Sequence, residues 1–155
     1  MVSQVRQRPV DRLAQHGHRD ERCVQEGHRA QREVTGDDPD LLALCQSLLE
    51  EEGHAVESVA NGRLMVERAQ AWRPDLVVLD WVMPEMDGCA ATRNLRSQPA
   101  TASTPILMMS ASDDGDAQAR DAGADAFLRK PFPPSDLVRS VTELLGAAAN
   151  HAQHR

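Results

Sequence analysis

The sequence predicts an α/β fold built on a doubly wound parallel sheet, and two observations support this prediction. First, short apolar runs of strand length alternate with longer segments whose apolar residues recur at helical spacing. Second, residues 76–79 and 106–109 are continuously apolar, as expected of strands that are covered by helices on both faces. The chain has 155 residues, a length that suits one domain.

The elements before residue 76 are a helix, a short strand and a second helix. The first helix opens at Pro39, which suits a first helical position, and Gly53 is expected to stop it. An alternating stretch, residues 55–59, predicts the strand. After an Asn-Gly turn, residues 64–72 form the second predicted helix.

The rest of the chain repeats the strand and helix pattern three times. Each strand is a short apolar run, and each helix ends near a glycine or a polar turn. The predicted elements, in order, are strand 76–79, helix 89–97, strand 106–109, helix 114–122 stopped by Gly123, strand 126–128, and a last helix with its N-cap at Ser135 and its end at Gly146.

Polar side chains follow three of these strands at the points where the strands end. Asp80 follows residues 76–79, Ser110 follows residues 106–109, and Lys130, the one lysine of the chain, follows the last strand. The carboxyl ends of parallel strands meet at one edge of a sheet, where doubly wound proteins bind ligands. We therefore expect these three side chains to converge, with Asp37 and Asp38 before the first helix beside them.

This set of residue types suits phosphoryl transfer to a carboxylate. Carboxylates at one edge repel each other, and a hard divalent cation such as Mg²⁺ relieves the repulsion while it binds phosphate oxygens. Lys130 and Ser110 can contact the oxygens of a phosphoryl group, and Asp80 is the candidate nucleophile. Taken singly, each residue also has an ordinary interpretation, as a capping aspartate, a loop serine or a surface lysine. The aspartate pair could equally be the acidic start of a helix.

Four blocks of the sequence are characteristic: DDPDLLALCQSLLEEEGHAVESVANG at 37–62, LVVLDWVMPEMDG at 76–88, PILMMSA at 105–111 and AGADAFLRKPF at 122–132. In this order and spacing they resemble the receiver domain of two-component response regulators, of the chemotaxis-regulator type. The resemblance covers about residues 37–146 and implies a flavodoxin-like sheet of five parallel strands in the order 2-1-3-4-5, with five helices.

The resemblance also implies roles for the residues at the strand ends. Asp80 would accept a phosphoryl group from a phosphohistidine, and Ser110 would be the switch hydroxyl that moves onto it. Lys130 would pair with the phosphoryl oxygens. Phe127 would occupy the aromatic switch position, and Pro131 would follow a cis peptide bond.

A magnesium site is implied as well. Asp37 and Asp80 would bind Mg²⁺ through their carboxylates, and Val82 through its main-chain carbonyl, with Asp38 as a further candidate. In the family, two or three acids follow an apolar first strand. Here that stretch, residues 30–36, reads AQREVTG, and Gly36 stands where the first acid of the site is expected.

The N-terminal segment therefore departs from the family pattern. Residues 1–36 carry seven arginines against five acids, whereas residues 37–155 carry ten basic residues against nineteen acids. Burying the charges of residues 30–36 in a central strand would be costly, so we expect a weak or missing first strand. We predict a disordered or non-native extension at 1–29, a receiver domain at 30–146 and a frayed tail at 147–155. A shifted reading frame, a wrong start or a degraded gene would explain the break, and sequencing the gene would test this.

Composition narrows the function classes further. The acidic main part of the chain argues against direct nucleic-acid binding, and no apolar stretch is long enough for a membrane span or a signal peptide. We therefore expect a cytoplasmic protein. The three cysteines, Cys23, Cys45 and Cys89, form no metal or redox motif and are expected to be free thiols.

The functional prediction is a stand-alone receiver, since only nine residues follow Gly146. A histidine kinase or histidine phosphotransfer protein would phosphorylate it on Asp80, and phosphorylation would switch the binding of a downstream protein. The alternative is a degraded or truncated receiver, from a larger regulator or hybrid kinase, that only binds partners. We do not expect an enzyme, because aspartate-nucleophile phosphatases carry a second aspartate where this chain has Val82.

Overall fold

A computed structural model of the protein describes residues 2–5, 39–59, 61–83 and 85–153. Strands and helices alternate along these residues, as the sequence predicts. None of the described helices combines the length and the apolar character needed to cross a membrane. The elements are β1 (Val2–Val5), α1 (Pro39–Glu51), β2 (Glu57–Ser58), α2 (Gly62–Trp72), β3 (Leu76–Asp80), α3 (Gly88–Ser97), β4 (Ile106–Ser110), α4 (Gly115–Ala122), β5 (Ala126–Arg129) and α5 (Pro134–Gln153).

The strands form one sheet in the order β2-β1-β3-β4-β5, which confirms the predicted strand order. β3, β4 and β5 are parallel, with Val77 opposite Ile106 and Leu107 opposite Ala126. Every residue of β3 and β4 is buried, as the continuous apolar runs predict. The doubly wound α/β fold is thus confirmed.

The strand between β2 and β3 differs from the expectation in its origin and its direction. β1 consists of Val2–Val5 and runs antiparallel to both neighbours, with Val5 opposite Leu76 of β3 and Ser3 opposite Ser58 of β2. The strand was expected at residues 30–36, where buried Gln, Arg and Glu side chains would lack compensation. Val2–Val5 carries no charge, so its backbone can complete the ladder beside β3 without that penalty.

The domain boundaries predicted for the N-terminus need a matching correction. Residues 2–5 belong to the sheet, so the predicted extension at 1–29 does not lie wholly outside the domain. The remainder of that extension, and residues 30–38, lie outside the described residues.

Alternate residues of β3 pack into two separate cores, one on each face of the sheet. Leu76 and Val78 join a cluster with residues of α1 and α5. Val77 and Leu79 join a second cluster with residues of α2 and α3. This period-2 division is what a strand between two helical layers requires.

The last helix begins and ends elsewhere than predicted. α5 begins at Pro134, because proline suits the first helical position, so Ser135 lies in the first turn and is not the N-cap. The helix continues to Gln153, past the expected stop at Gly146 and through the predicted frayed tail. Gly53 and Gly123 do stop helices, with left-handed φ angles of 84° and 105°. Gly146 is followed by three alanines, whose helix propensity offsets the roughly 1 kcal/mol that an internal glycine costs.

Arg96 holds together the edge of the sheet opposite Asp80. Its guanidinium donates to the main-chain carbonyls of Thr104 and Gly123, at 2.7 and 2.9 Å, and pairs with Asp125 at 2.6 Å. Asp125 also accepts the main-chain N–H of Ile106 at 2.8 Å. These bonds fix the starts of β4 and β5 side by side, and therefore the positions of the strand ends that follow.

Candidate functional site

The ends of β3, β4 and β5 lie in register at one edge of the sheet. Asp80 is the last residue of β3 and Ser110 the last residue of β4, and they are 5% and 4% exposed. Lys130 follows β5, and its main-chain N–H donates to the carbonyl of Ser110 at 2.8 Å. One strand over, the N–H of Trp81 donates to the carbonyl of Met109 at 2.8 Å. The structure thus brings Asp80, Ser110 and Lys130 to the same edge, as predicted.

The carboxylate of Asp80 is buried and ion-paired. The ammonium of Lys130 donates to Oδ2 of Asp80, and this pair joins the ends of two strands that are not adjacent. Oδ1 accepts the main-chain N–H of Val82 at 3.3 Å. A carboxylate with a cation beside it has the arrangement that accepting a negatively charged group requires.

The hydroxyl of Ser110 is oriented by the loop that follows β4. Its Oγ accepts the main-chain N–H of Ser112 at 3.1 Å. A serine hydroxyl carries one proton in addition to its acceptor lone pairs, so the bond from Ser112 leaves that proton available. Ser110 can therefore donate to an anionic oxygen bound at this edge.

Gly88 is part of the site's framework and was not singled out from the sequence. A Cβ atom at Gly88 would lie 2.6 Å from the main-chain oxygen of Asp80 and 3.1 Å from the Cα of Trp81. The N–H of Gly88 donates to the carbonyl of Trp81 at 2.9 Å, and Asp87 caps α3 by accepting the N–H of Ala90 at 2.7 Å. The backbone of residue 88 lies so close to the backbone at Asp80 that only glycine fits there. The sequence shows an Asp-Gly pair at a helix start, but it does not show which part of the backbone lies against that glycine.

Phe127 lies against the start of α4. A Cβ atom at Gly115 would lie 2.6 Å from Cζ of Phe127 and 3.4 Å from Cβ of Ser110, so the ring, the helix start and the serine are in close contact. The Lys130-Pro131 peptide bond is cis, as the resemblance implied. The switch roles expected for Phe127 and Pro131 remain predictions.

An ion pair between Asp113 and Arg129 joins the loop after β4 to the end of β5. It was not predicted, because only the sheet register brings together two exposed residues that lie far apart in the sequence. Together with the contact between Gly115 and Phe127, the pair ties the β4–α4 loop to β5 on the side of the site that carries Ser110 and Lys130.

The donors expected for a metal ion are only partly within the described residues. Asp80 and Val82 are present, and Val82 is 59% exposed, so a solvated ion could approach this corner. Asp37 and Asp38 lie outside the described residues. In the part of the chain that the structure describes, no three His, Cys, Asp or Glu side chains lie close enough together to hold a metal ion. One carboxylate with a main-chain carbonyl suits Mg²⁺, which retains several waters and binds substrate phosphate oxygens.

The direction of β1 bears on this metal corner. Val5, the last residue of β1, lies opposite Leu76, at the edge of the sheet away from Asp80. β1 therefore does not lead the chain toward the site, as a parallel strand in the same place would. Whether Asp37 and Asp38 stand beside Asp80 is therefore not decided by β1, and both remain predicted ligands.

The two described cysteines, Cys45 and Cys89, are free and buried, in agreement with the sequence prediction; Cys23 lies outside the described residues. Burial raises the pKa of the Cys89 thiol, and the nearby carboxylate of Asp87 raises it further. A raised pKa disfavours the reactive thiolate form of Cys89, although this residue follows Gly88 directly.

Comparison with protein families gives a match over residues 34–142 to the response regulator receiver domain. Among curated relatives, the phosphate regulon transcriptional regulatory protein PhoB of Rhizobium meliloti is 34% identical over 117 residues, which are 74% of this chain and 52% of that protein. The transcriptional regulatory protein TcrA of Mycobacterium tuberculosis is 40% identical over 115 residues, 72% of this chain and 44% of that protein. The chain spans about half the length of these relatives.

Solved structures include similar folds. The receiver domain of the sensor histidine kinase PA1611 from Pseudomonas aeruginosa, which has a magnesium ion coordinated in its active site cleft, matches with a TM-score of 0.70. It is 28% identical, and the match covers 77% of this chain and 98% of that one. The receiver domain of a signal transduction histidine kinase from Syntrophus aciditrophicus matches with a TM-score of 0.66 and 34% identity, over 74% of this chain and 90% of that one.

Proposed function

Because the chain belongs to the family of response regulator receiver domains, we propose that it accepts a phosphoryl group on Asp80 and uses it to switch the binding of a partner protein. One observation carries the proposal. Asp80 is a buried carboxylate at a strand end, with the ammonium of Lys130 bound to one of its oxygens. Ser110 completes the edge from the neighbouring strand.

The proposed donor is a phosphohistidine on a histidine kinase or a histidine phosphotransfer protein. A carboxylate oxygen of Asp80 forms the new O–P bond while the P–N bond to the donor imidazole breaks, and the leaving nitrogen takes up a proton from solvent. Lys130 stabilises the negative oxygens of the transferred group, and Ser110 donates its hydroxyl proton to another of them.

Mg²⁺ is part of the proposal, since the PA1611 receiver domain holds this ion in its cleft. In this chain, the carboxylate of Asp80 and the main-chain carbonyl of Val82 would hold it, with Asp37 as the predicted second acid and Asp38 as a further candidate. The ion would neutralise charge between the carboxylate and the incoming phosphoryl oxygens.

Intact-mass spectrometry tests phosphorylation directly. The full chain is incubated with Mg²⁺ and a small phosphodonor such as acetyl phosphate. We expect the mass of one phosphoryl group to be added, and no addition in Asp80→Asn. The matched control is Asp116→Asn, which changes an exposed acid on α4 that pairs with Arg120 and should leave the adduct intact. An adduct that persists in Asp80→Asn would refute the assignment of the acceptor.

We further propose that the protein is a signalling module and not an enzyme, and that it acts in the cytoplasm. Val82, two residues after Asp80, has no side-chain group that could orient a water molecule for attack on the acyl phosphate. The phosphorylated state should therefore persist long enough to act as a signal. Chasing the adduct by mass after removal of the donor measures this, and loss within the dead time would contradict it.

The finer proposal is that the receiver acts without an output domain of its own, although its curated relatives are longer transcriptional regulators. The mass of the protein isolated from its native cells decides this point. A species of about twice the mass would place the receiver within a longer regulator.

A second candidate is a receiver that binds partners with impaired phosphorylation. The observation that favours it is the antiparallel course of β1, which therefore carries no carboxylate to the Asp80 edge. In that case the mass experiment gives no adduct even at high Mg²⁺, while the fold remains intact by circular dichroism.

A further inference from the structure

The ion pair between Asp113 and Arg129 lies beside Ser110. In the parallel ladder of β4 and β5, Arg129 is the direct partner of Ser110. Its guanidinium contacts the carboxylate of Asp113, three residues after Ser110, so the loop that follows β4 is attached to β5. Residues 111–114 are exposed, and the side chains of Arg129 and Asp113 are 63% and 78% exposed. The pair can therefore open without disturbing either core.

The strand order gives the site two sides, because β4 lies between β3 and β5. Asp80 ends β3 on one side of Ser110, and Arg129 ends β5 on the other. The hydroxyl of Ser110 accepts the N–H of Ser112 at 3.1 Å, within the loop that the pair attaches to β5. The predicted role of Ser110 is to move onto a phosphoryl group on Asp80, which is a movement toward β3 and away from β5. An attachment of the loop to β5 opposes that movement.

We infer that the pair of Asp113 and Arg129 is a latch, meaning a contact that holds the loop, and with it Ser110, in the position of the unphosphorylated protein. The inference rests on the proposed function, since it names a contact that phosphorylation of Asp80 must overcome. Such coupling is reciprocal. A pair that stabilises the resting position makes phosphorylation less favourable, and phosphorylation weakens the pair by the same factor. Asp113 and Arg129 are thus positioning residues that act through Ser110.

The other contacts between this region and β5 are of a different kind. The N–H of Lys130 donates to the carbonyl of Ser110 within the sheet, and the ring of Phe127 packs at Gly115 against a buried cluster. Neither contact depends on charge. The ion pair is exposed to solvent, so its strength falls as the salt concentration rises. An exposed pair shifts an equilibrium only modestly, by about twofold to fivefold at low salt.

The rate at which the phosphoryl adduct forms tests the latch. The full chain is mixed with Mg²⁺ and acetyl phosphate at low salt, and the adduct is followed over time by intact-mass spectrometry. Asp113→Asn should speed its formation by about twofold to fivefold, because the loop is no longer attached to β5. In an Arg129→Gln background the same change should have no effect, since the pair is already absent. Comparing the two backgrounds separates the latch from the change in net charge.

Two control variants separate loss of the pair from loss of a charge. Asp114→Asn removes the same charge from the neighbouring exposed residue, whose side chain does not cap α4, and should change the rate little. Asp113→Glu retains the pair and should keep the parental rate. At about 0.5 M salt, the difference between Asp113→Asn and the parent should shrink. Equal acceleration by Asp114→Asn, equal acceleration in the Arg129→Gln background, or no acceleration at all would overturn the inference.

Hydrogen exchange without any phosphodonor gives a readout that does not depend on phosphorylation. The N–H of Ser112 should exchange faster in Asp113→Asn than in the parent, whereas that of Leu107, within β4, should not. Unchanged exchange at Ser112 would mean that the pair does not hold the loop. Faster exchange with a parental rate of adduct formation would mean that the loop does not restrain Ser110, which also overturns the latch. A parent chain that forms no adduct refutes the proposed function itself, and the latch with it.

Discussion

The two halves of the sheet differ in the length, direction and burial of their strands. β3, β4 and β5 are parallel and in continuous register, and every residue of β3 and β4 is buried. β1 and β2 have four and two residues, and β1 runs against the direction of all its neighbours. Asp80, Ser110 and Lys130 all lie at the carboxyl ends of β3, β4 and β5, which form the regular half of the sheet.

The difference shows that the two parts of the proposed site rest on different structural support. The nucleophile and the groups that would contact a phosphoryl group are fixed by strands whose apolar residues pack into both cores. The acids predicted for the metal, Asp37 and Asp38, precede α1 and lie outside the described residues, so no described strand fixes them. Function could therefore fail on the metal side while the fold and the position of Asp80 remain intact.

The largest expected effect comes from truncating a buried side chain in the regular half of the sheet, which consists of β3, β4 and β5. Leu107→Ala in β4 removes a side chain that is fully buried among strands and helices, and should lower the free energy of unfolding by about 2–5 kcal/mol. Leu44→Ala on α1 is the matched control, because Leu44 is 48% exposed and should lose less than about 1 kcal/mol. Urea unfolding measures both, and equal losses would remove the contrast between the core and the surface.

The ion pair across the strand ends should rank second. Lys130→Met leaves the buried carboxylate of Asp80 without its cation and should destabilise the fold by about 1–3 kcal/mol, less than for a fully buried pair because Lys130 is partly exposed. Asp80→Asn/Lys130→Met should recover most of that loss. A double-mutant cycle measures the coupling, and additive effects would show that the two groups do not interact in solution.

Ser3→Pro should have a smaller effect on stability than either of these changes. It removes one backbone donor from the four-residue strand β1, so the loss should be about 1–2 kcal/mol. Hydrogen exchange at Val78, which lies opposite Ser3, should accelerate, while exchange at Leu107 in β4 should not. A loss as large as that of Leu107→Ala would mean that β1 is as integral to the sheet as β4.

The same division explains what the sequence could predict. The runs before Asp80 and Ser110 are long, apolar and bounded by turns, so their strands and the polar residues at their ends were identified correctly. Val2–Val5 has no such pattern, and its pairing depends on which segment best fills a gap between distant strands. No local pattern in the sequence shows which segment will pair between β2 and β3.

Contacts between backbones were equally hidden. Gly88 lies against the backbone at Asp80, and Gly115 lies against the ring of Phe127, so neither position has room for a side chain. The sequence does not show which segment lies against each glycine. The end of α5 was misjudged for a different reason. Gly146 was interpreted as a stop by itself, whereas the alanines after it continue the helix.

The smallest expected effect concerns Glu57 in β2. Burial raises the pKa of this carboxyl, and the guanidinium of Arg68, at 2.9 Å, only partly offsets the effect. Oε2 of Glu57 is buried without a hydrogen-bond partner among the described residues. A carboxyl whose pKa is raised by folding favours the folded state when protonated, and that contribution is lost as the pH rises through the folded pKa.

Glu57→Gln should therefore stabilise the protein slightly at pH 7, by at most about 0.5 kcal/mol, and the advantage should disappear as the pH falls and Glu57 itself becomes protonated. Thermal unfolding of the variant and the parent chain between pH 7 and pH 4 measures the difference. Glu67→Gln, at an exposed carboxylate that also pairs with an arginine, is the control and should change little. If Glu57→Gln were destabilising at pH 7, the pair with Arg68 would outweigh the burial of the charge, and β2 would be held more firmly than its two residues suggest.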